Sequence, residues 1–384
     1  MSAGPVSRQA SLESSPQLPP QQAARLVSLD VFRGATIAGM ILVNNPGIGP
    51  AYAPLQHAAW HGWTPTGLVF PFFLWIVGVA LTLSFAKRLA RGDGRGRIWL
   101  HVLQRSAAIF LIGLFLNGFP FFDLTTIRIP GVLQRIAVSY LVAATLFLFF
   151  RLRTQMLWTA GLLAVYWILM MYVPVPGCGA GSLTPDCNFA KWVDGQLLSG
   201  HMYRATKTWD PEGVVSTLPA IATVMFGVFA GAVLRLERAA SSRTVLLLVI
   251  GAAQMITGSV LGIWMPINKM IWTVSYSLFT AGLACLIFAA CYWLVDVRNW
   301  RRFSKPFAIY GMNALVVYAL SGLFGRTLSL VRIGDVSLRQ WLWQTFFEGL
   351  GPPSFASLLY AATHVVLFWA IAWLMHRQNW VVRV

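Results

Sequence analysis

Long apolar stretches separated by short polar connections run through almost the whole chain. Ten of them approach the roughly 20 residues that an α-helix needs to cross a bilayer. They cover residues 27–45, 66–86, 98–117, 131–150, 155–173, 214–235, 244–262, 271–295, 307–325 and 355–375. The pattern predicts an all-α, polytopic membrane protein with about ten transmembrane helices.

Composition supports this prediction and narrows the partners. Of the 384 residues, 57% are hydrophobic and only 11% are charged, whereas soluble domains carry about 25% charged residues. A net charge of +17 would suggest a nucleic-acid partner in a soluble protein. Here the basic residues cluster in short connections, which membrane topology explains better. We therefore expect the lipid bilayer as a partner and no nucleic acid.

The basic residues are divided unequally between the two sides of the predicted bundle. Eighteen of the 29 Lys and Arg residues lie at the termini or in the even-numbered connections, and eight lie in the odd-numbered ones. The positive-inside rule then places both termini in the cytoplasm. Residues 1–25 are predicted to be a disordered cytoplasmic tail without a cleavable signal peptide. Residues 26–384 form one predicted transmembrane domain with a long exterior loop, 174–213.

The four cysteines fall into two pairs. Cys178 and Cys187 share the exterior loop and could form a disulfide if that compartment is oxidising. Cys285 and Cys291 lie within a predicted span, and we expect them to be inert packing residues. No cysteine pattern resembles a zinc site, and the chain contains neither a GxGxxG motif nor a Walker loop.

Three arginines lie inside predicted spans, where a charge costs roughly 2.5–3.5 kcal/mol on insertion scales and therefore suggests function. Arg33 follows Asp30 by three residues, and the two could simply pair near the interface. Arg105 and Arg135 occur in the similar strings VLQRSA and VLQRIA. This resemblance is either chance or the sign of a polar track for an extended anionic ligand, since Arg binds phosphate well.

Polar strings also mark the predicted exterior ends of the spans. They are VNNPG (43–47), TIRIPG (126–131), KTWDPEG (207–213) and PINKMIW (266–272), and YGMNALVVY (310–318) adds Asn313 inside span nine. Asp210 and Glu212 could cap a helix N-terminus or bind a substrate. His57 and His61 stand in a stretch without any charged residue. Each could be simply an interfacial polar residue. Each could instead be catalytic, because a neutral imidazole can accept a proton as a base or attack a thioester as a nucleophile.

Seven strings in order connect the chain to a known family. SLDVFRG, LVNNPG, HAAWHGWTPTGLVFPFF, RIPGVLQRIAVSY, WDPEGVVSTLPAI, PINKMIWTVSY and YGMNAL resemble the heparan-alpha-glucosaminide N-acetyltransferase family of transmembrane acyltransferases, and its short bacterial members in particular. The resemblance implies transfer of an acetyl group from cytoplasmic acetyl-CoA to the amine of a glucosamine unit across the membrane. It implies the bacterial inner membrane as location and a bacterial amino sugar as acceptor, since the extra exterior region of the animal members is missing.

The resemblance also implies the site. His57 corresponds to the active-site histidine and Asn44 to the asparagine that accompanies it, whereas His61 stands where relatives often have Asn. We expect the following residues to bind acetyl-CoA: Arg33, Arg105, Arg128, Gln134 and Arg135. We expect these to bind the sugar: Asp210, Glu212, Asn268, Lys269 and Asn313. No metal is expected, and a homodimer is compatible with the sequence, which does not fix the oligomeric state.

Two mechanisms and two other classes of protein stay open at this stage. His57 acts as a general base in direct transfer, which we favour, or it is acetylated first, and Asn44 could donate to the thioester oxygen in either case. The alternative is an amino-sugar or lipid transporter, although the chain lacks the two similar halves that transporters often show. A structural scaffold would leave the charges within the spans unexplained.

Overall fold

A computed structural model describes residues 26–302, 304–380 and 382 and is helical throughout, apart from one small hairpin. The predicted tail, residues 1–25, lies outside the described residues. The helices are α1 Val27–Asn44, α2 Pro65–Ala90, α3 Arg95–Gly118, α4 Val132–Phe149, α5 Leu152–Tyr172, α6 Phe189–Leu197, α7 Thr217–Leu234, α8 Ala240–Leu261, α9 Val274–Tyr292, α10 Ser304–Met312, α11 Ala314–Leu330, α12 Leu338–Phe346 and α13 Pro353–Arg377.

Within the described part of the chain, nine helices are long and apolar enough to cross a membrane, or ten crossings if α10 and α11 count as one. The all-α, polytopic prediction is therefore confirmed. Shorter elements complete the fold: a 3₁₀ turn Ala53–Leu55, a π-helical turn Trp293–Val297 after α9, and the antiparallel strands β1 Arg332–Ile333 and β2 Val336–Ser337.

The ninth predicted span, residues 307–325, is not one straight helix, which corrects the sequence-based boundary. Helices α10 and α11 meet at an angle of 78°, with Asn313 at the break. Its side-chain amide donates to the carbonyl of Trp380 (2.9 Å), and its side-chain oxygen accepts from the amide of Val382 (3.0 Å). These two long-range hydrogen bonds tie the break to the C-terminal segment.

The loops gather at two opposite ends of the bundle. The amide of Gly62 donates to the carbonyl of Ile267 (2.7 Å), and the amide of Ile129 donates to the carbonyl of His201 (3.0 Å). The first contact joins the loop before α2 to the loop before α9, and the second joins the loop before α4 to the loop before α7. The rings of Trp60 and Trp209 link the two pairs of loops, and we call this end the His57 end. At the other end, the amide of Val27 donates to the carboxylate of Asp296 (3.2 Å).

The exterior loop is closed by a disulfide between Cys178 and Cys187, whose Cα atoms are 5.7 Å apart. The sequence left the bonding of this pair open, and the structure joins the two cysteines. The indole nitrogen of Trp60 donates to the carbonyl of Leu183 inside this closed loop (2.8 Å). The loop therefore braces the segment that carries His57. Cys285 and Cys291 are free and packed within α9.

Helices α2 and α7 approach each other closely in the bundle's core. A Cβ atom on Gly227 would lie 1.9 Å from the carbonyl oxygen of Trp75, and one on Gly78 would lie 2.0 Å from that of Val224. Only glycine allows backbones to come so near, as is usual between membrane helices. This contact fixes α2, whose first residues border the site described below.

We predict that Gly227→Ala lowers the melting temperature of the detergent-solubilised protein, because overpacking costs about 1–3 kcal/mol. Gly161→Ala in α5 is the matched control, since a Cβ there meets no atom within 4 Å and Ala favours the helix by about 1 kcal/mol. Thermal unfolding of both variants would test this, and equal melting temperatures would contradict the close packing.

Candidate functional site

The segment that carries His57 is fixed at several points along the α1–α2 loop. Thr64 caps α2, with its hydroxyl accepting from the amide of Gly67 (3.4 Å), and Pro65 begins the helix, as capping preferences predict. Just before this cap, Gly62 has a φ of +98°, which glycine adopts without strain. Trp60 stacks edge-on against Trp209, with ring centroids 5.2 Å apart. His57 is thus held close to the loop that precedes α7.

A hydrogen-bonded turn before α9, residues 266–273, faces this segment. The buried Asn268 accepts at its side-chain oxygen from the amides of Met270 (2.7 Å) and Ile271 (3.2 Å). The hydroxyl of Thr273 accepts from the amide of Asn268 (3.0 Å) and caps α9. The buried Trp272 has a φ of +51°, an unusual value for a bulky residue. These bonds make the turn a rigid platform.

The turn meets the two histidines. The amine of Lys269 lies 3.2 Å from Nδ1 of His57, and the amide nitrogen of Asn268 lies 3.3 Å from Nδ1 of His61. Desolvation, assisted by the charge of Lys269, lowers the pKa of His57 to about 4. Desolvation lowers the pKa of Lys269 to about 8, although the charge of Glu212 acts in the opposite direction. His57 is therefore neutral at physiological pH and keeps an exposed face.

A cluster of ionic groups lies beside this pair. Arg128 donates two hydrogen bonds to the carboxylate of Asp210 (2.8 and 2.6 Å) and one to Glu212, and its guanidinium lies 4.6 Å from the ring centre of Tyr203. Burial opposes the charge of Arg128, but the bonds and charges of the two carboxylates outweigh it and raise the pKa of Arg128. Such bidentate pairs are strong and geometrically specific.

Asp194 anchors the same loop from α6. Its carboxylate accepts from the amides of Asp210 (3.2 Å) and Val214 (3.0 Å). Burial raises the pKa of Asp194 to about 6 despite these two hydrogen bonds. The loop before α7 is therefore ordered by one carboxylate beneath it and one guanidinium beside it.

Arg135 is only 2% exposed and lies behind the cluster. Its Nη2 donates to the hydroxyl of Ser216 and to the carbonyl of Gly213 (3.3 Å). The guanidinium stacks 5.0 Å from the ring centre of Trp272, a cation–π contact of the kind that desolvation strengthens. Nε and Nη1 have no hydrogen-bond partner among the residues that the structure describes.

A cavity of about 660 Å³ opens at the His57 end, within the usual size of ligand sites. Among the described residues its lining includes Asn44, Arg128 and Gln134 but not His57. Its charged and polar lining residues also include Asn117, Asp123, Arg204, Arg326, Arg339, Tyr360 and His364. Gln134 is 4% exposed, and its Nε2 has no hydrogen-bond partner in the described residues. The lining therefore combines an excess of positive charge with unused amide capacity.

The five residues predicted to bind acetyl-CoA do not come together. Arg128 and Gln134 line the cavity, and Arg135 lies behind the ionic cluster. Arg105 lies on an exposed face of α3, 5.2 Å from the ring centre of Tyr140. Arg33 lies at the opposite end, with Nη1 3.4 Å from both the carboxylate of Asp30 and the carbonyl of Gly311. No continuous polar track from Arg105 to Arg135 is seen among these contacts, so the two arginines serve different surroundings.

Four of the five residues predicted to bind the sugar surround His57 or its neighbours: Asp210, Glu212, Asn268 and Lys269. The fifth, Asn313, bonds to the C-terminal segment at the α10–α11 break, away from the cavity lining. The carboxylates of Asp210 and Glu212 are engaged by Arg128, which leaves them less available to a ligand. The roles of all these residues remain predictions.

Sequence reasoning missed residues that matter to the site. Trp60 contacts both the disulfide loop and Trp209, and Asn117 donates to the carbonyls of Arg128 (2.9 Å) and Pro130 (2.9 Å). His364 lines the cavity from within α13. A polar residue inside an apolar span was the available signal for His364. No comparable signal pointed to Trp60, because aromatic residues are common at membrane interfaces.

These features define a polytopic membrane protein. At one end of its bundle the neutral imidazole of His57 lies within hydrogen-bond distance of the amine of Lys269, and a large polar cavity opens at the same end. A family model described as "Heparan-alpha-glucosaminide N-acetyltransferase, catalytic" matches residues 25–265. The chain belongs to this family. It is similar to the heparan-alpha-glucosaminide N-acetyltransferases of Homo sapiens (31% identity over 360 residues, 78% of this chain and 52% of that protein) and Mus musculus (30% over 367 residues, 80% and 55%).

The chain thus spans about half the length of the curated relatives it matches. The family match includes His57 and Arg128 and ends just before Lys269. The turn before α9 therefore lies beyond the region by which the family model identifies the chain.

We predict that Arg128→Gln destabilises the folded protein by about 3–5 kcal/mol, because it leaves two carboxylates with little exposure uncompensated. Arg204→Gln is the control, since Arg204 lines the same cavity but is exposed. Adding Asp210→Asn to Arg128→Gln should recover part of the loss. Asp210→Asn alone completes the cycle with the wild type, Arg128→Gln and the double variant. The melting temperatures of these four proteins measure the coupling, and additive effects would argue against the ion pair.

Proposed function

We propose that this protein is an integral-membrane N-acetyltransferase that moves the acetyl group of acetyl-CoA to the amine of a glucosamine-type sugar. The observation that carries the proposal is the neutral, partly exposed imidazole of His57, held 3.2 Å from Lys269 at the end of the bundle where the polar cavity opens. Membership of an N-acetyltransferase family supports acetyl transfer as the reaction in which this imidazole takes part. An imidazole with a pKa of about 4 keeps its lone pair free at neutral pH.

In this reaction the amine nitrogen bonds to the thioester carbonyl carbon, and the bond from carbon to the sulfur of CoA breaks. His57 removes the proton that the amine loses, in a direct transfer within one complex of donor and acceptor. Asn44, at the end of α1 and in the cavity lining, donates to the carbonyl oxygen as negative charge develops there. An acetylated His57 is the competing path, and a neutral imidazole is equally suited to it.

We further propose that the two substrates approach from opposite sides of a bacterial inner membrane. The excess of basic residues in the connections opposite the His57 end supports a cytoplasmic location for that opposite end. Acetyl-CoA would then enter from the cytoplasm, and the sugar would reach His57 from the periplasm. The charge-rich α2–α3 connection, near Arg91 and Arg97, is suited to attracting the phosphates of CoA.

A transporter is the second candidate, because the break between α10 and α11 resembles the discontinuous helices of transporters. In such proteins the break lines the substrate site. Here the polar side chain at the break, Asn313, is bonded to the C-terminal segment. This favours the enzyme.

We predict that His57→Ala lowers turnover about a hundred- to ten-thousandfold, the range that general-base catalysis supplies. Purified protein would be supplied with acetyl-CoA and glucosamine, and the release of free thiol would be followed. His61→Ala is the control and should retain most of the activity. Thiol release by His57→Ala at the wild-type rate would refute the role of His57, and absence of sugar-dependent release in the wild type would favour the transporter.

We predict that cysteines at Ala59 and Gly94, each introduced singly in a cysteine-free background, react with a membrane-impermeant thiol reagent from opposite faces of intact cells. Both positions are exposed. Only the cysteine at position 59 should be labelled before the cells are opened, and only lysis should expose the one at position 94. Labelling of both from outside would contradict the proposed arrangement.

A further inference from the structure

The two ring nitrogens of His57 have different surroundings. Nδ1 lies 3.2 Å from the amine of Lys269. Nε2 makes no hydrogen bond to any residue that the structure describes, and the ring keeps an exposed face. An approaching amine can therefore reach only Nε2. Lys269 can exchange a proton with His57 only through Nδ1.

The protonation state of Lys269 decides what Nε2 can do. An ammonium group can only donate, so a charged Lys269 requires a lone pair on Nδ1 and leaves the ring proton on Nε2. In that tautomer Nε2 has no lone pair with which to accept a proton. A neutral Lys269 can instead accept from Nδ1–H, which leaves the lone pair on Nε2.

The surroundings of Lys269 favour the neutral amine more than water does. Its side chain is half-buried and passes the first turn of α2 near Gly67, and a helix N-terminus disfavours a nearby cation. The charged and titratable groups that face it are His57, from the α1–α2 loop, and Glu212, from the loop before α7. Glu212 is hydrogen-bonded to Arg128, which shares its negative charge.

The turn also holds Lys269 in place. Asn268 and Thr273 bond the backbone on both sides of it, and Tyr276 of α9 donates its hydroxyl to the carbonyl of Gly67 in α2. The distance between Lys269 and His57 is thus set by two helix starts that are tied together. A proton can pass between fixed groups at this separation without rearrangement of the backbone.

We propose that Lys269 and His57 form a proton-transfer pair, in which neutral Lys269 takes the Nδ1 proton of His57 while Nε2 receives the proton of the attacking amine. Lys269 acts through His57 and is therefore a positioning residue that sets the tautomer and stores the proton. The inference rests on the proposed acetyl transfer and adds a residue and a protonation state to it.

The step balances as follows. The amine nitrogen forms a bond to the carbonyl carbon, and its proton moves to Nε2. The Nδ1 proton moves to Lys269, which becomes an ammonium. The carbonyl re-forms as the bond from carbon to sulfur breaks. The departing thiolate receives the Nε2 proton of His57, and the Lys269 ammonium returns its proton to Nδ1. The pair returns to its starting state, and no oxidant or other reactant is needed.

The pair should give the reaction a characteristic pH dependence. Burial brings the pKa of Lys269 to about 8, so the amine is charged below this pH and neutral above it. kcat/KM should therefore rise with pH through an apparent pKa near 8. The pKa of His57, about 4, lies too low to contribute to this rise.

The decisive variants are Lys269→Met, which removes the amine, and Lys269→Arg, which keeps a positive charge but cannot accept a proton. Both should lose about a hundredfold or more in kcat with the KM for acetyl-CoA changed little, and both should lose the rise with pH. Lys191→Met, at the same end of the bundle, is the matched control. Activity of Lys269→Arg within about threefold of wild type would overturn the proposal, since charge alone would then suffice.

The acceptor's own ionisation must be separated from that of Lys269. Glucosamine loses a proton in the same pH range, whereas hydroxylamine is a much weaker base and is neutral throughout. The rise near pH 8 should appear with both acceptors, because it belongs to the enzyme. A rise that is present with glucosamine and absent with hydroxylamine would contradict the proposal.

A readout that needs no turnover separates this inference from the proposed function. In protein labelled with nitrogen-15 at histidine, the His57 ring signals, assigned with His57→Gln, should change from the Nε2–H to the Nδ1–H tautomer as Lys269 titrates. Lys269→Arg should hold the Nε2–H tautomer throughout. An unchanged wild-type tautomer would refute the pair even if acetyl transfer occurs. Absence of thiol release with the expected titration would refute the proposed function alone.

Discussion

The hydrogen-bonded turn before α9 is the constraint on which the site depends. Asn268 is fully buried, and its side-chain oxygen accepts hydrogen bonds from two amides of the turn. The turn therefore cannot change shape without leaving buried donors unpaired, which costs about 1–3 kcal/mol for each one. Its fixed shape sends Lys269 toward His57 and Trp272 under the guanidinium of Arg135. One backbone conformation thus positions groups on two sides, and the left-handed φ of Trp272 is retained because its neighbours determine it.

The ionic cluster next to the turn follows from the cost of burying charge. A buried guanidinium or carboxylate is tolerated only where partners satisfy it. Arg128 meets this requirement with two carboxylates that lie 82 and 84 positions away in the chain. Asp194 meets it with backbone amides. The same contacts order the loop before α7, so that electrostatic compensation and loop structure are one arrangement. Glu212 then influences Lys269 through space without bonding to it.

The sequence could predict the transmembrane helices because length and apolar character suffice for a span. It could not predict the break at Asn313, since the hydrogen bonds to the C-terminal segment that stabilise the break lie 67 or more positions away. Arg105 and Arg135 lie in nearly identical six-residue sequences, VLQRSA and VLQRIA, yet only Arg135 is buried. Which face of a helix meets a neighbour is decided by tertiary packing, so equal strings acquire unequal surroundings. The family resemblance could indicate His57, but it offered no view of which nitrogen faces Lys269.

The mutual influence of His57 and Lys269 explains why a chain so poor in charge places both at one end of its bundle. Desolvation disfavours the charged form of each base, and the charge of one opposes the charge of the other. A pair of bases in partly dry surroundings therefore carries at most one positive charge near neutral pH. Glu212 limits this effect, because its charge keeps the pKa of Lys269 from falling further. A lower value would leave Lys269 unable to retain a proton, and a higher one would keep it charged. The carboxylate, itself held by Arg128, thus links the ionic cluster to the basicity of the imidazole.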